Sequence, residues 1–215
     1  MRDNFNRQLD RLKEELITMG AMCEEAISLA VKYLTEKDND LREQAFNTDR
    51  LINRKEHEIE QLCMRLIRTQ QPVATDLRTI SIALKMIWDM KRIGDQTADL
   101  IEVGEYLDLS EFKSKVHIVG MAKSTVEMVT SSIESFVKQS LDLAYDVIKT
   151  DDIIDEYFIK VKEEIISAGK DGKYNIESLV DLLMAAKYFE RIGDHAENIA
   201  HWVVYYITGE EYTEE

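Results

Sequence analysis

Residues that break helices are scarce in this sequence. Its 215 residues include one proline, Pro72, and only eight glycines. Sheet proteins need frequent turns built on such residues, so their scarcity favours long helices. No apolar run approaches the roughly 20 residues that a membrane-spanning helix needs, and the charged start of the chain has no signal-peptide core. These absences predict a cytoplasmic, helical protein without direct membrane insertion.

Short motifs of catalysis and metal binding are also missing. Cys23 and Cys63 are the only cysteines, and neither belongs to a Cys-x-x-Cys or Cys/His pattern. We interpret both as small apolar core residues. There is no Gly-rich phosphate loop, nucleophile elbow or His-Glu-x-x-His motif. None of the four histidines follows a glutamate by three positions, as di-iron bundles require, so we interpret them as ordinary surface or boundary residues. The sequence therefore predicts no catalytic residues.

Positive charge is in short supply. The chain has 27 lysines and arginines against 42 aspartates and glutamates, a formal net charge of −15. Nucleic-acid binding depends mainly on basic residues that meet phosphates, so this balance argues against a nucleic-acid partner. It argues equally against adsorption to anionic lipid. An acidic chain of this kind suits metal cations or a partner with basic patches.

Apolar residues recur every three or four positions in six stretches, which is the spacing of one helix face. The fourth stretch begins with Val116 and Val119, and Trp88 and Trp202 are interpreted as packing residues. Thr75-Asp76 is interpreted as the N-cap of the third helix. Six long helices joined by short loops indicate antiparallel bundles. The predicted breaks lie at Glu36 to Asn39, Gln71-Pro72, close to Leu107, and Gly169 to Asn175.

The sequence contains an internal repeat. Arg92-Ile93-Gly94-Asp95 recurs as Arg191-Ile192-Gly193-Asp194, and Thr48-Asp49-x-x-Ile52 recurs as Thr150-Asp151-x-x-Ile154. Each motif falls on the corresponding helix of its unit. We therefore predict an all-α fold of two tandem antiparallel three-helix bundles, with the units at residues 1–107 and 108–215.

Pairs of carboxylates four residues apart mark two helices of the second unit. Asp151 and Asp155 form one pair, and Glu190 and Asp194 form the other. Residues at this spacing share a helix face, where like charges repel. If the pairs face each other, a cation such as Fe, Mn, Mg or Ca would compensate for the repulsion. The alternative is that these acids are solvated, or are paired with Lys160, Lys187 or Arg191.

The first unit carries a reduced version of this pattern. Asp49 is followed by Asn53 where the second unit has an acid, and Lys91 precedes Asp95 and Asp99. Lys91 could replace the charge of a metal with its own ammonium, so we expect cations to bind more weakly here. Gly94 and Gly193 lie within helices, where glycine costs about 1 kcal/mol relative to alanine. Both are interpreted as points where a neighbouring helix approaches closely and leaves room for an aspartate. Arg92 and Arg191 are expected to form salt bridges rather than to bind phosphate.

Several segments together resemble the PhoU family of accessory proteins in bacterial phosphate uptake. The stretch from Phe189 to Ile199, FERIGDHAENI, is similar to the family's ERIGD-x-x-x-N-I signature. The stretch from Gln70 to Arg78, QQPVATDLR, is similar to its QP-x-A-x-DLR turn. Further similarities lie in DDIIDEY at 151–157, in Met19-Gly20 and in the closing Tyr205-Tyr206-x-x-Gly209. The resemblance runs through the whole chain in order.

The resemblance implies two three-helix bundles side by side, each with an acidic motif able to hold iron or other divalent or trivalent cations. It implies a regulatory adaptor that links a phosphate ABC transporter ATPase to a sensor histidine kinase and negatively regulates uptake and starvation signalling. It also implies homodimerisation and a peripheral place at the membrane through the partners. The implied metal residues are Asp151, Asp155, Glu190, Asp194 and Asn198 in the second repeat, and Asp49, Asn53, Asp95 and Asp99 in the first.

Two other functions remain open from the residues alone. A carboxylate-bridged metalloenzyme, an oxidase or a hydrolase, would need a redox metal and turnover, and the missing histidine ligands argue against it. A generic helical scaffold or chaperone would need only a solvated acidic face. In that case, replacing Asp151 and Glu190 with alanine would change neither the metal content nor the regulation.

Overall fold

The computed structural model describes residues 2–70, 72–107, 109, 112, 115–172 and 174–210, and these residues form six helices and no strand. The predicted all-helical fold is confirmed. All but α4 are longer than 30 residues, as expected for a chain with so few helix breakers. The bounds are α1 (Arg2–Glu36), α2 (Asn39–Gln70), α3 (Ala74–Gly104), α4 (Lys115–Lys138), α5 (Leu141–Asp171) and α6 (Ile176–Thr208).

The start of α3 differs from its prediction. Its N-cap is Val73, whose extended backbone follows Pro72 and whose side chain makes no capping bond. The Val73 carbonyl already accepts a hydrogen bond from the Leu77 N–H at 2.9 Å. Thr75 and Asp76 therefore lie in the first helical turn, and their interpretation as the N-cap is wrong. Proline disfavours a helical conformation in the residue before it but not in the residues that follow.

Two helix ends also differ from the sequence prediction. Helix α3 ends at Gly104 rather than at Leu107, and the Lys37 ammonium donates to the carbonyl oxygens of both residues. Helix α5 continues through Gly169 and ends at Asp171. Gly172, whose φ is 63°, forms its left-handed C-cap. The predicted turn therefore begins three residues too early, because only the second of its two glycines adopts the conformation that ends a helix.

Helices α1 to α3 pack into one bundle and helices α4 to α6 into a second, and one apolar core runs through both. Cys23 and Cys63 are buried in this core, as predicted. Val119 is 43% exposed while Ile118 is buried, so the predicted start of the α4 stripe is wrong. The side chain of Val116 lies outside the described residues. Hydroxyl side chains that bond to carbonyls of their own helix occupy part of the buried face of α4 and blur its apolar pattern; they are Thr125, Ser132 and Ser135.

The bundles lie side by side and meet through α3 against α6 and α1 against α4. Asp89 of α3 contacts Trp202, whereas Asp99, later in α3, faces Arg191, earlier in α6. Helices α3 and α6 are therefore antiparallel. The division of the chain at 107/108 stays a prediction, since residues 108, 110 and 111 lie outside the described part. Over the described ranges, no helix has an apolar stretch long enough to span a bilayer.

Candidate functional site

The aspartate of each second helix lies directly against the mid-helix glycine of the third. A Cβ atom built on Gly193 would lie 3.1 Å from Asp151 Oδ1, and one on Gly94 would lie 3.1 Å from Asp49 Oδ1. The Cβ on Gly193 would also come within 2.9 Å of Ile154 Cδ1. The interpretation of these glycines as points of close approach is therefore confirmed. Helix packing places one carboxylate at an equivalent position in each bundle.

The carboxylates of α5 and α6 face one another. Burial raises the pKa of Asp151 to about 7, and the charges of Glu197, Asp194, Asp155 and Glu190 add to that rise. Burial and then the Glu190 charge raise the pKa of Asp194 to about 6. Because Asp151 Oδ1 lies against Gly193, the residue before Asp194, the two acidic pairs lie on the same side of the bundle. The side chains gather surplus negative charge in a partly buried place, which we call the C-terminal acidic cluster (Asp151, Asp155, Glu190, Asp194 and Glu197).

Few groups compensate for this charge. Asp151 Oδ1 is buried and accepts no hydrogen bond from a described residue. Lys187 pairs with Glu190, which is one of the cation pairs considered as the alternative to a metal. Lys160 pairs with Glu156 at 3.4 Å instead of with a cluster member. Glu197 also lies 3.4 Å from His201 Nε2. Among the described residues, one ammonium and one imidazole against five carboxylates leave an excess of negative charge.

The donor set fits a cation by its chemistry, because carboxylate oxygens are the ligands that hard and borderline cations prefer. Asp151 presents a buried oxygen that finds no partner among the described residues, and Asp155 is exposed enough to change its rotamer. Among the described residues, no three acidic, histidine or cysteine side chains already converge to metal-binding distance. A bound cation would therefore have to draw the carboxylates together.

The equivalent cluster in the first bundle is neutralised from within. The Asn53 side-chain amide donates to the carbonyl and to Oδ1 of Asp49 at 3.0 and 3.1 Å. The Lys91 ammonium lies 3.0 and 2.8 Å from the two Asp95 oxygens. The contact predicted between Lys91 and Asp95 is thus present. Burial, followed by the Asp95 charge, still raises the pKa of Asp49.

Asp99 and Asn198 lie apart from these clusters. Burial raises the pKa of Asp99, and the charges that act on it belong to Glu102 and Asp95 on its own helix and to Arg191 on α6. Asp99 therefore lies within reach of a charge on the other bundle. Asn198 lines a cavity between α3 and α6. Neither position favours a role as a ligand.

Sequence reasoning missed two features of the site. Glu197 follows Asp194 by three residues and contributes the largest charge effect on Asp151. A search of α6 for acids at spacings of three and four would have found it. The other feature is Asp89, which is 3% exposed and accepts hydrogen bonds from His195 Nδ1 and Trp202 Nε1, both at 3.0 Å. No local pattern marks this contact, because 106 residues separate Asp89 from His195.

Some interpretations of single residues need correction. The interpretation of His195 as an ordinary boundary residue is incomplete, because its ring joins the two bundles. Trp88 is 50% exposed, so its interpretation as a packing residue is wrong, whereas Trp202 is partly buried and hydrogen-bonded. Arg92 forms the expected salt bridge, at 3.3 Å from Asp95.

Comparisons with known proteins agree with this architecture. The sequence model described as the PhoU domain matches twice, at residues 16–103 and 118–203. The chain is 32% identical to the phosphate-specific transport system accessory protein PhoU homolog of Clostridium acetobutylicum, over 96% of this chain and 95% of that protein. It is 26% identical to the accessory protein PhoU of Escherichia coli, over 97% and 87%.

Solved structures give the same result. The crystal structure of PhoU from Pseudomonas aeruginosa superposes with a TM-score of 0.90 at 29% identity, covering 96% of this chain and all of that one. The phosphate transport system regulatory protein PhoU from Streptococcus pneumoniae also reaches a TM-score of 0.90, at 27% identity and over 98% of this chain. The likeness thus extends over both bundles and includes their arrangement.

Proposed function

This chain belongs to the PhoU family, and we propose from that premise that it is a regulatory adaptor that negatively regulates phosphate uptake and phosphate-starvation signalling. The observation that carries the proposal is the double match to the PhoU domain, together with a likeness to phosphate-transport accessory proteins over nearly their whole length. In the proposed role the chain acts by binding and catalyses no reaction.

The proposed partners are the ATPase of a phosphate ABC transporter and a membrane sensor histidine kinase. When phosphate is ample, the adaptor would hold the kinase in its inactive state and restrain uptake. An adaptor shifts such an equilibrium only by its difference in affinity for the two states of the partner. Two packed bundles joined along α3 and α6 provide a firm surface for this discrimination. We further propose that the chain acts as a homodimer in the cytoplasm, reaching the membrane through its partners.

Deletion of the gene tests the regulatory role. In medium rich in phosphate, we expect starvation genes in the deletion strain to reach the expression level of starved wild-type cells, and phosphate uptake to rise with them. Complementation with the intact gene should restore both to the wild-type level. Unchanged starvation-gene expression and uptake in the deletion strain would refute the proposed role.

We also propose that the C-terminal acidic cluster binds a divalent or trivalent cation such as iron or manganese. Its support is the excess of carboxylates, the unpartnered Asp151 oxygen and the raised pKa values of Asp151 and Asp194. The cation would neutralise the cluster and tie α5 to α6. The first bundle contributes little, because Asn53 and Lys91 already satisfy its aspartates.

Converting the first cluster into the second tests the cation proposal. The double variant Asn53→Asp with Lys91→Glu would give α2 and α3 the same four acids as α5 and α6. Without cations, we expect the free energy of unfolding to fall by about 1–3 kcal/mol, because a salt bridge is lost and like charges are added. With Mn²⁺, isothermal titration should detect one more bound ion per chain than in wild type. Equal stoichiometry in both proteins would contradict the assignment. Lys123→Glu, at an exposed position of α4, controls for the reversal of a lysine charge.

A further inference from the structure

Helix α3 carries three cations at heptad spacing, and each lies over an aromatic ring. The Arg78 guanidinium carbon is 6.0 Å from the centre of the Tyr205 ring. Lys85 Nζ is 5.2 Å from the centre of a Trp202 ring. The Arg92 guanidinium carbon is 5.0 Å from the centre of a Trp88 ring. A spacing of seven residues places successive cations about 10.5 Å apart on one helix face. We call this surface the basic aromatic stripe (Arg78, Lys85, Trp88, Arg92, Trp202 and Tyr205).

The middle of the stripe contains an open cavity of about 480 Å³. Both tryptophans of the chain line it, and the ring of Trp88 is half exposed. The buried Asp89 carboxylate lies at the bottom of this cavity, and its two oxygens accept hydrogen bonds from His195 and Trp202. The cavity is therefore preformed, with one indole fixed by its hydrogen bond. Its lining residues are Leu84, Lys85, Trp88, Asp89, Asn198 and Trp202.

The charge of the stripe is opposite to that of the chain. The formal net charge is −15, yet Arg78 and Lys85 form no salt bridge with any residue in the described ranges. Asp89 is buried beneath the surface, and Asp95 is shared between Arg92 and Lys91. Tryptophan and arginine are enriched among residues that dominate binding energy in protein interfaces. Arg78 and Lys85, which have no acidic partner in the described part of the chain, favour an occupant that brings carboxylates.

We propose that the basic aromatic stripe is a docking surface for an acidic amphipathic helix of a partner protein. An apolar side chain of that helix would enter the cavity between Trp88 and Trp202. Carboxylates one heptad apart on the helix would meet two of the three cations. This inference rests on the proposed adaptor function and adds to it the surface and the chemistry by which one partner is held.

The spacing makes a helix the better occupant. An apolar anchor with acids three or four residues to either side places two carboxylates about 10.5 Å apart, which is the distance between neighbouring cations of the stripe. Nucleic acid fits poorly, because its backbone carries a negative charge about every 1.7 Å along the duplex, whereas the stripe offers three cations about 10.5 Å apart. The remaining occupant to distinguish is a second copy of this chain, whose surface is also rich in carboxylates.

Intrinsic fluorescence offers a direct measurement, because Trp88 and Trp202 are the only tryptophans and both lie at the cavity. The probe is a synthetic helical peptide of about five turns, free of tryptophan, with a leucine anchor flanked by glutamates one heptad apart. A second peptide carries lysine in place of each glutamate. We expect the acidic peptide to change the emission in a saturable, salt-sensitive way and the basic peptide to leave it unchanged. No change with the acidic peptide would overturn the proposal.

Two variants assign the binding to the stripe. Lys85→Glu should weaken binding of the acidic peptide at least tenfold, and Trp88→Ala should do the same, measured by titration calorimetry on the full chain. The matched controls are Lys123→Glu and Tyr106→Ala, at exposed positions elsewhere. Circular dichroism verifies that each variant is folded, and Lys85→Gln replaces Lys85→Glu if that variant fails to fold. Equal affinity in the stripe variants and their controls would overturn the proposal.

The same variants separate this inference from the adaptor function. The transporter ATPase and the cytoplasmic part of the sensor kinase are each titrated against wild type and Lys85→Glu. The docking surface is supported if wild type binds both proteins and Lys85→Glu loses its binding to one of them. Retention of both partners overturns the surface and leaves the adaptor function standing. If wild type binds neither protein, the proposed adaptor function is refuted, and the peptide titration alone tests the docking surface. A self-association in sedimentation that Lys85→Glu abolishes would identify a second copy as the occupant and overturn the proposal.

Discussion

Replacing Asp89 with alanine is expected to lower the free energy of unfolding by about 3 kcal/mol, because the change removes the buried acceptor of two partly buried donors at once. The Asp89 side chain is buried between α3 and α6 and receives hydrogen bonds from His195 and Trp202. These two residues lie in the other bundle, so the loss falls on the contact between the bundles. Urea unfolding followed by circular dichroism measures the change.

Matched variants separate the hydrogen bonds from the loss of a charge. Asp10→Ala removes an aspartate from an exposed position of α1 and is expected to change stability by less than about 0.5 kcal/mol. Asp89→Asn keeps an acceptor for the Trp202 indole and should lose less than Asp89→Ala. A shift for Asp89→Ala no larger than that of Asp10→Ala would show that the contact contributes nothing to stability.

The parts of the fold that follow from local chemistry are predictable. Polar and breaker residues predict the α1–α2 break between Glu36 and Asn39 and the end of α2 before Pro72, and the structure places them there. The close approach of a neighbouring helix at Gly94 and at Gly193 is also predicted, because a mid-helix glycine leaves space there. In each case a short motif carries the cause of the structure within a few residues.

Features that depend on how distant helices cross are not predictable in the same way. The contact of Asp89 with His195 exists because α3 and α6 cross antiparallel, and no spacing in the sequence reports that crossing. The size of Trp88 suggests packing, but half of its surface stays exposed at the α3–α6 cavity. Asn198 follows Asp194 by four residues, yet the crossing brings it to the α3–α6 cavity.

Replacing Asp151 with asparagine is expected to stabilise the cation-free protein above pH 7. Burial and four neighbouring carboxylates raise the pKa of Asp151 to about 7, whereas an unfolded aspartate titrates near pH 4. Between these values the folded state binds more protons, so this group's contribution to the free energy of unfolding falls as the pH rises. A tenfold change in an acid dissociation constant corresponds to about 1.4 kcal/mol before screening by water. Because Asp151 is partly exposed, we expect Asp151→Asn to raise the free energy of unfolding by about 1–2 kcal/mol at pH 8.

The measurement is urea unfolding of wild type and Asp151→Asn in chelator, from pH 5 to 8.5. The difference in the free energy of unfolding between the two proteins should be small near pH 5 and largest at pH 8. Taking this difference removes the contribution of other carboxylates, such as Glu15. Its lysine partner lowers the pKa of Glu15, so its contribution to stability rises with pH. Asp152→Asn, a neutralisation at an exposed neighbour on α5, is the matched control for the loss of one charge. An Asp151→Asn protein less stable than wild type at pH 8 would contradict the charge excess.

Cations should reverse the order of stability. Mn²⁺ stabilises whichever folded protein binds it, by an amount that grows with the logarithm of the free ion concentration relative to the dissociation constant. Wild type, with all its carboxylates, should gain more than Asp151→Asn at pH 8, and the gain should fade toward pH 5 as protons compete for Asp151 and Asp194. Equal gains in both proteins would place the cation elsewhere. The electrostatic excess that weakens the cation-free fold is then the same feature that gives the cluster its affinity for a cation.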